Sequence, residues 1–268
     1  MKFISESSVS SILTPSLAIQ SQYIAFTTPS TTPSRLHLPS PFGPTLVKPS
    51  TLQISGTLRS GTKIVSVRPS QPDTVPATLL MIDCPTGKVT HAISASALTA
   101  LRTAAGSTVA TMSIMSGRTP LRLLIAGSGS QGRQHARCML SSYPSLHVTL
   151  SNRTLSRAES LRRDIIDEFK LGEDRVKATT LEGAEEEVGK ADVVCLCTVA
   201  EGPVFPSCWY KADVHVNAVG GFNGDMREVD SAFLLSCGSV VLDAEEALEA
   251  GDLLQGGSAV SEGVKRKL

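Results

Sequence analysis

The residues best suited to chemistry in this chain are three glycines set between an apolar run and an amphipathic pattern. Leu121 to Ala126 leads into Gly127-Ser128-Gly129-Ser130-Gln131-Gly132, and Ala136, Met139 and Leu140 follow at helical spacing. A strand, a glycine turn and a helix in that order bring bare backbone against a pyrophosphate. Gly127 permits the tight turn, Gly129 removes the side chain that would block the phosphates, and Gly132 lets helix and strand pack closely. The helix N-terminus adds unpaired N–H groups and a partial positive charge.

Cysteines are the other reactive residues, and there are six: Cys84, Cys138, Cys195, Cys197, Cys208 and Cys237. Their spacing is irregular. Cys195 and Cys197 lie in the strand-like run Val193 to Thr198, where both thiols face one side. They read as small apolar core residues, and no metal site is expected, because further ligands at suitable spacing are missing.

These residues are carried by a chain of 268 residues with 41% hydrophobic content, enough for one large or two ordinary domains. The 25 basic residues balance the 25 acidic ones, which leaves no electrostatic footprint for nucleic acid. Aromatics make up only 4%, against a base-stacking surface. No apolar run approaches the roughly 18 residues that span a bilayer. The opening Met1-Lys-Phe-Ile-Ser-Glu6 lacks the pattern of a signal peptide, so a cytoplasmic location is expected.

Two architectures follow one another. Ser5 to Phe26 reads as helical, interrupted at Pro15, with Thr14 as a cap. Thr27 to Thr51 is rich in Ser, Thr and Pro and reads as a linker, with Arg35 an isolated cation in it. Thr62 to Val67 has strand character, Thr78 to Asp83 and Lys88 to Ile93 form a hairpin, and Ser96 to Met112 reads as a helix of small residues. After Gly117 strands alternate with helices, the sign of a parallel sheet. The strands are expected at Leu121–Ala126, His147–Ser151, Val193–Thr198, His215–Val219 and Val240–Asp243. The helices are expected at Gln131–Leu140, Ser156–Phe169 (capped by Thr154 or Ser156) and Glu182–Gly189.

Taken in order, several strings resemble the ornithine cyclodeaminase/mu-crystallin family. They are Met1-Lys-Phe-Ile-Ser-Glu, Gly61-Thr-Lys63-Ile-Val-Ser-Val, Leu98-Thr-Ala-Leu-Arg102-Thr103-Ala-Ala, the glycine turn, Ser151-Asn152-Arg153-Thr154, and His215-Val-Asn-Ala-Val219-Gly220. The resemblance implies an α/β protein in three parts. Residues 1–117 form a substrate-binding and dimerisation domain, 118–250 a Rossmann-type doubly wound domain, and 251–268 a shortened return segment. It implies a homodimer, a small carboxylate substrate, and neither nucleic-acid nor membrane partners. Arg35, Lys63 and Arg102 match the carboxylate-holding positions, a fitting set because Arg forks a carboxylate and Lys supplies a point charge. Thr103, Gly127, Gly129, Ser130, Gln131, Asn152, Arg153, Thr154, Thr198 and Val219 match the nicotinamide-cofactor positions. No acid stands in Asn152-Arg153-Thr154 to hold a ribose 2′-hydroxyl, and Arg153 suits a 2′-phosphate, so NADPH is expected over NADH.

The implied activity is reduction of a cyclic imine (ketimine) carboxylate by NADPH, with Lys63 or Asp225 as proton donor. Ornithine cyclodeamination and non-catalytic NADP binding are the alternatives. Against the first, Phe222 stands where the cyclodeaminase branch has a catalytic Asp, and Asp225 comes three residues later. The family usually continues several dozen residues past Gly251-Asp-Leu-Leu254 to complete its N-terminal domain. Because this chain stops at Leu268, impaired activity is a further expectation.

Overall fold

The computed structural model describes residues 1–68, 75–221, 224–249 and 251–254, together with the backbone of 264–267. The chain divides into two compact units, Met1–Arg102 and Thr103–Leu268.

The first unit holds β1 (Lys2–Ile4), α1 (Glu6–Ile12), α2 (Pro15–Thr27), β2 (Ser30–Thr31), β3 (Leu36–Leu38), β4 (Thr45–Ile54), β5 (Thr57–Ser66), β6 (Ala77–Ile82) and β7 (Val89–Ser94). It also takes in the start of α3 (Ser96–Ile114), so the division falls inside that helix. Helix α2 starts as the sequence suggests. Thr14 accepts a hydrogen bond from the Leu17 amide at 3.2 Å, and Pro15 sits where its missing N–H costs nothing. The strands form one sheet in the order β1-β7-β6-β5-β4-β2, with β3 also against β4. The expected hairpin is β6–β7, closed at Gly87 with φ +68°.

Thr27–Thr51 is not a linker. It supplies β2, β3 and most of β4. Its prolines misled because they fit an edge. β3 pairs with Thr45–Val47 and β2 with Thr51–Leu52, and Pro49 falls in the gap between them, where no outer strand needs its N–H.

The second unit begins within α3. It continues through β8 (Arg122–Ala126), α4 (Ser130–Ser142), β9 (His147–Asn152), α5 (Leu155–Phe169), β10 (Val176–Thr180), α6 (Glu185–Lys190), β11 (Val193–Leu196), β12 (His215–Ala218), α7 (Ser231–Ser236), β13 (Val240–Leu242), α8 (Gly251–Leu254) and β14 (Val264–Lys267). Five parallel strands run in the order β10-β9-β8-β11-β12. Counted within the unit this is 3-2-1-4-5, the doubly wound order, which reverses between β8 and β11.

Successive residues of each central strand serve opposite faces. Leu123, Ile125, Val148, Leu150, Val193 and Cys195 pack with Met139, Leu161 and Ile165 on one side. Leu124, Ala126, Val194 and Leu196 pack with Val188, Phe205 and Phe233 on the other. Cys138 and Cys195 are core thiols as expected, and all six cysteines are free. Two details differ from the sequence reading. Val176–Thr180 is an unforeseen edge strand, and Val240–Leu242 pairs with β14 outside the main sheet.

Candidate functional site

Two groups of side chains carry chemistry, one in each unit. In the first unit, cross-strand register decides the grouping. Lys48 on β4 stands directly opposite Lys63 on β5, and Lys63 stands opposite Leu79 on β6. Arg35 immediately precedes β3, whose first pair is Leu36 with Val47, so it comes next to Lys48 in the same row. Residues opposite one another point to the same face. That face also carries Leu46, Val65 and Ala77, which pack with Ala95 and with Leu98 of α3. Arg102 lies four residues after Leu98, on the same side of the helix. The result is a half-buried group of cations around the Lys63 amine, whose pKa is pushed down to about 7. Burial is the largest cause, followed by the charges of Arg102, Arg35 and Lys48.

In the second unit the three glycines meet three different demands. Gly127 has φ +105°, and a Cβ there would lie 2.4 Å from the Cys197 carbonyl oxygen across the β8–β11 switch point. A Cβ on Gly132 would lie 1.8 Å from the Gly127 carbonyl oxygen and 3.4 Å from Ile125 Cγ2, so helix and strand approach as closely as backbone allows. Gly129 meets nothing within 4 Å, which leaves its side of the turn open. Ser130 and Gln131 form the first turn of α4, where N–H groups lack helical acceptors. Ser128 Oγ and Gln131 Oε1 are buried without a partner among the described residues. An open approach, orphaned N–H groups and unpaired buried oxygens suit the pyrophosphate and hydroxyls of a dinucleotide. His135 anchors this turn from below. Its ring nitrogens contact the Gln131 carbonyl at 2.8 Å and Ser107 Oγ at 3.0 Å, and burial pushes its pKa down to about 4.

At the end of β9, Asn152 ties the neighbouring turns together. Its Oδ1 accepts from the Ser128 amide at 3.4 Å, and its Nδ2 donates to the Thr154 carbonyl at 3.0 Å. Arg153 is exposed there and enters no ion pair among the described residues. Thr154 is the N-cap of α5, although its side chain makes no capping bond.

Thr198 and Val219 follow β11 and β12, and one carboxylate joins them. Glu228 is fully buried. It accepts from the Thr198 amide at 2.8 Å, Thr198 Oγ1 at 2.7 Å, the Val219 amide at 3.0 Å and the Gly220 amide at 2.6 Å. Burial pushes its pKa up, and these donors oppose that shift. Asp252 holds the next turn, accepting from the amides of Glu228 and Val229 at 2.7 and 2.9 Å. The sequence reading gave Glu228 no role, because its partners are the ends of two strands distant along the chain. Lys48 was missed too, because only strand register sets it beside Lys63.

Thr103 lies half-buried on α3 and Asp225 is exposed in a turn. Phe222 lies outside the described residues. Among the described residues no cluster could hold a metal ion, and no helix is long and apolar enough to cross a membrane.

The model of the ornithine cyclodeaminase/mu-crystallin family matches residues 36–266. This chain belongs to that family. Among curated members, ketimine reductase mu-crystallin of Macropus fuliginosus is 30% identical over 205 residues, covering 76% of this chain and 61% of that protein. A Delta(1)-pyrroline-2-carboxylate reductase of Bacillus cereus is 31% identical over 230 residues, covering 83% of this chain and 68% of the relative. The chain therefore spans about two thirds or less of the length of such family members. Solved structures share the fold. Thermococcus litoralis Delta(1)-pyrroline-2-carboxylate reductase, in complex with NADH and L-proline, superposes with a TM-score of 0.86 at 24% identity, covering 100% of this chain and 84% of that one. An archaeal alanine dehydrogenase dimer with bound NAD gives 0.85 at 21% identity, covering 100% and 83%.

Proposed function

We propose that this chain is a nicotinamide-dependent reductase of an imine that bears a carboxylate, and that it uses NADPH in preference to NADH. The observation that carries this reading is the Lys63 amine, half-buried among Arg35 and Arg102 with a pKa near neutrality. Arg35 and Arg102 hold the substrate carboxylate by charge-assisted hydrogen bonds. An amine with a pKa of about 7 is suited to giving a proton at neutral pH, so Lys63 supplies the proton that the imine nitrogen takes up. Asp225, the other candidate donor, sits exposed in a turn. The glycine turn, Asn152 to Thr154, Thr103, Thr198 and Val219 hold the cofactor, which when bound supplies the hydride for the imine carbon. The names of the curated relatives support a reductase over cyclodeamination.

Arg153 supports the choice of NADPH, since an exposed guanidinium at the end of the second parallel strand suits a 2′-phosphate. A homodimer and a cytoplasmic location belong to the same reading. The sheet face opposite the cations carries Leu36, Val47, Ile64, Leu80, Ala92 and Phe3 in neighbouring rows, with Phe3 72% and Leu36 62% exposed. That apolar face suits a second copy of the chain.

The test is loss of NADPH absorbance with a cyclic imine carboxylate. The wild type turns over, while Arg102→Ala loses turnover but keeps cofactor binding. Unchanged turnover in Arg102→Ala refutes the site, and ammonia release without net NADPH consumption refutes the reaction. Arg153→Ala lowers the preference for NADPH over NADH by about tenfold or more, the equivalent of one charge-assisted bond. An unchanged ratio refutes the cofactor assignment.

A further inference from the structure

Glu228 is the one fully buried acid among the described residues, and its four hydrogen-bond partners are all neutral. Oε1 accepts from the amide and hydroxyl of Thr198, and Oε2 accepts from the amides of Val219 and Gly220. Three of these donors are backbone N–H groups, which cannot accept a proton in return. A proton on Oε2 would face two N–H groups, so the arrangement fits a carboxylate and not a neutral acid. The strand ends also close over it. A Cβ on Gly220 would lie 2.6 Å from Glu228 Oε1 and 1.9 Å from the Thr198 carbonyl oxygen. Neutral donors ease the burial of a charge but do not cancel it. After burial, the charge of Glu228 is among the causes that raise the pKa values of Cys195, Cys197 and Tyr210. Its place in the sheet gives this charge a use. The glycine turn follows β8 and Asn152 to Thr154 follow β9, so the adenosine half of a dinucleotide suits that side of the switch point. The nicotinamide half then suits the ends of β11 and β12, which are the two ends that Glu228 joins.

We propose that Glu228 is the electrostatic counterpart of an oxidised nicotinamide ring, so that its charge makes the chain favour NADP+, with a cationic ring, over NADPH, with a neutral one. The proposal rests on reading Thr198 and Val219 as cofactor positions, and it assigns a residue which that reading leaves without a role. Glu228 needs no contact with the ring and exchanges no proton. It supplies a fixed negative charge beneath the strand ends, and a buried charge acts over several ångströms because little water screens it. The positive charge that a nicotinamide ring carries once its hydride has left is stabilised by such an anion, whereas the neutral reduced ring is not.

The test is a ratio of two dissociation constants, for NADP+ and for NADPH, measured by calorimetry with no substrate present. Glu228→Gln should raise the Kd for NADP+ relative to that for NADPH by about tenfold or more. That is the scale of two unit charges roughly 10 Å apart at an effective dielectric of about 20. The same tenfold change is a rise of about 30 mV in the potential of the bound couple. Glu228→Asp keeps the charge on a shorter side chain and should hold the ratio close to the wild-type value, even where both affinities fall. Asp213→Asn removes an exposed carboxylate two residues before β12 and should leave the ratio in place. A role confined to holding the strand ends moves both constants together, so an unchanged ratio in Glu228→Gln overturns the proposal. The wild type gives a check that needs no variant. Infrared difference spectra between its NADP+ and NADPH complexes should lack a protonated-carboxyl band at neutral pH, and such a band overturns the proposal. A wild type that binds neither form refutes the cofactor site, and the proposal with it. If the ratio responds as expected while no imine is reduced, the reductase reading falls and the role of Glu228 stands.

Discussion

Replacing Gly132 with alanine should destabilise the second unit, although alanine is the better helix former. The added Cβ would lie 1.8 Å from the Gly127 carbonyl oxygen, a backbone atom directly after β8 that cannot swing aside as a side chain would. Propensity alone favours alanine by about 1 kcal/mol in a helix interior. Overpacking costs typically about 1–3 kcal/mol and more where backbone is the obstacle, so the net loss should be about 2 kcal/mol or greater. For a unit of this size that is a fall in Tm of roughly 4–8 °C. Gly129→Ala is the matched control. Its Cβ meets nothing, and its φ of −82° suits any residue, so stability should hold. It should instead weaken NADPH by about tenfold or more, since it fills the space through which a pyrophosphate reaches backbone. Thermal and urea unfolding, with cofactor titration by nicotinamide fluorescence, separate the two effects. Gly132→Ala with undiminished stability would refute the packing argument, and Gly129→Ala with unchanged cofactor affinity would refute the cradle.

Three further outcomes follow from buried ionisable groups. His135 has its pKa held down at about 4 against 6.5 in an unfolded chain, so its contribution is complete above pH 6.5 and disappears as pH falls toward 4. This amounts to about 3 kcal/mol, and His135→Gln should flatten that limb of the stability curve measured in urea; an acid limb identical to the wild type would contradict it. Lys63 releases its proton near pH 7 when folded and near 10.5 when unfolded, so in that window the unfolded chain binds more protons and stability rises with pH. Anion binding at pH 8 should therefore take up a proton at Lys63, visible as buffer-dependent heats in calorimetry and absent in Lys63→Met. Glu228→Gln sets an amide nitrogen among four donors and should cost about 3 kcal/mol or more, with faster hydrogen exchange at Val219 and Gly220. Unchanged exchange there would mean that the carboxylate does not hold those strand ends.

What was legible in the sequence was what depends on neighbours along the chain. The glycine turn could be read because each glycine answers a local backbone demand, and the following helix confirms the context. The Thr14 cap and the β6–β7 hairpin were legible for the same reason. What escaped depends on partners distant in sequence. β4 looked like a linker because its prolines are tolerated only by virtue of where β2 and β3 stop. Val176-Lys-Ala-Thr-Thr180 lacks the apolar run of the central strands because it borders the sheet. Glu228 could not be told from a surface acid, as its donors come from the ends of two strands. Arg35, Lys63 and Arg102 entered through family resemblance, and register then added Lys48 to them.

The Glu228 carboxylate also has a bearing on how this protein can vary. By accepting from Val219 and Gly220 it closes the stretch from 219 to 228 at its base, as a clasp closes a loop of cord. The sheet is thereby secured before the chain sets out and again as it returns, with Asp252 fastening the residues just beyond. Between those fastenings the described residues stay engaged: Met226 is buried, and Arg227 bridges to Glu201 and donates its amide to the Ala200 carbonyl at 2.9 Å. This is the segment in which Phe222 and Asp225 depart from the cyclodeaminase pattern. The clasp sets where that segment leaves the end of β12 and where it returns beside the end of β11, so what differs there differs between two fixed points.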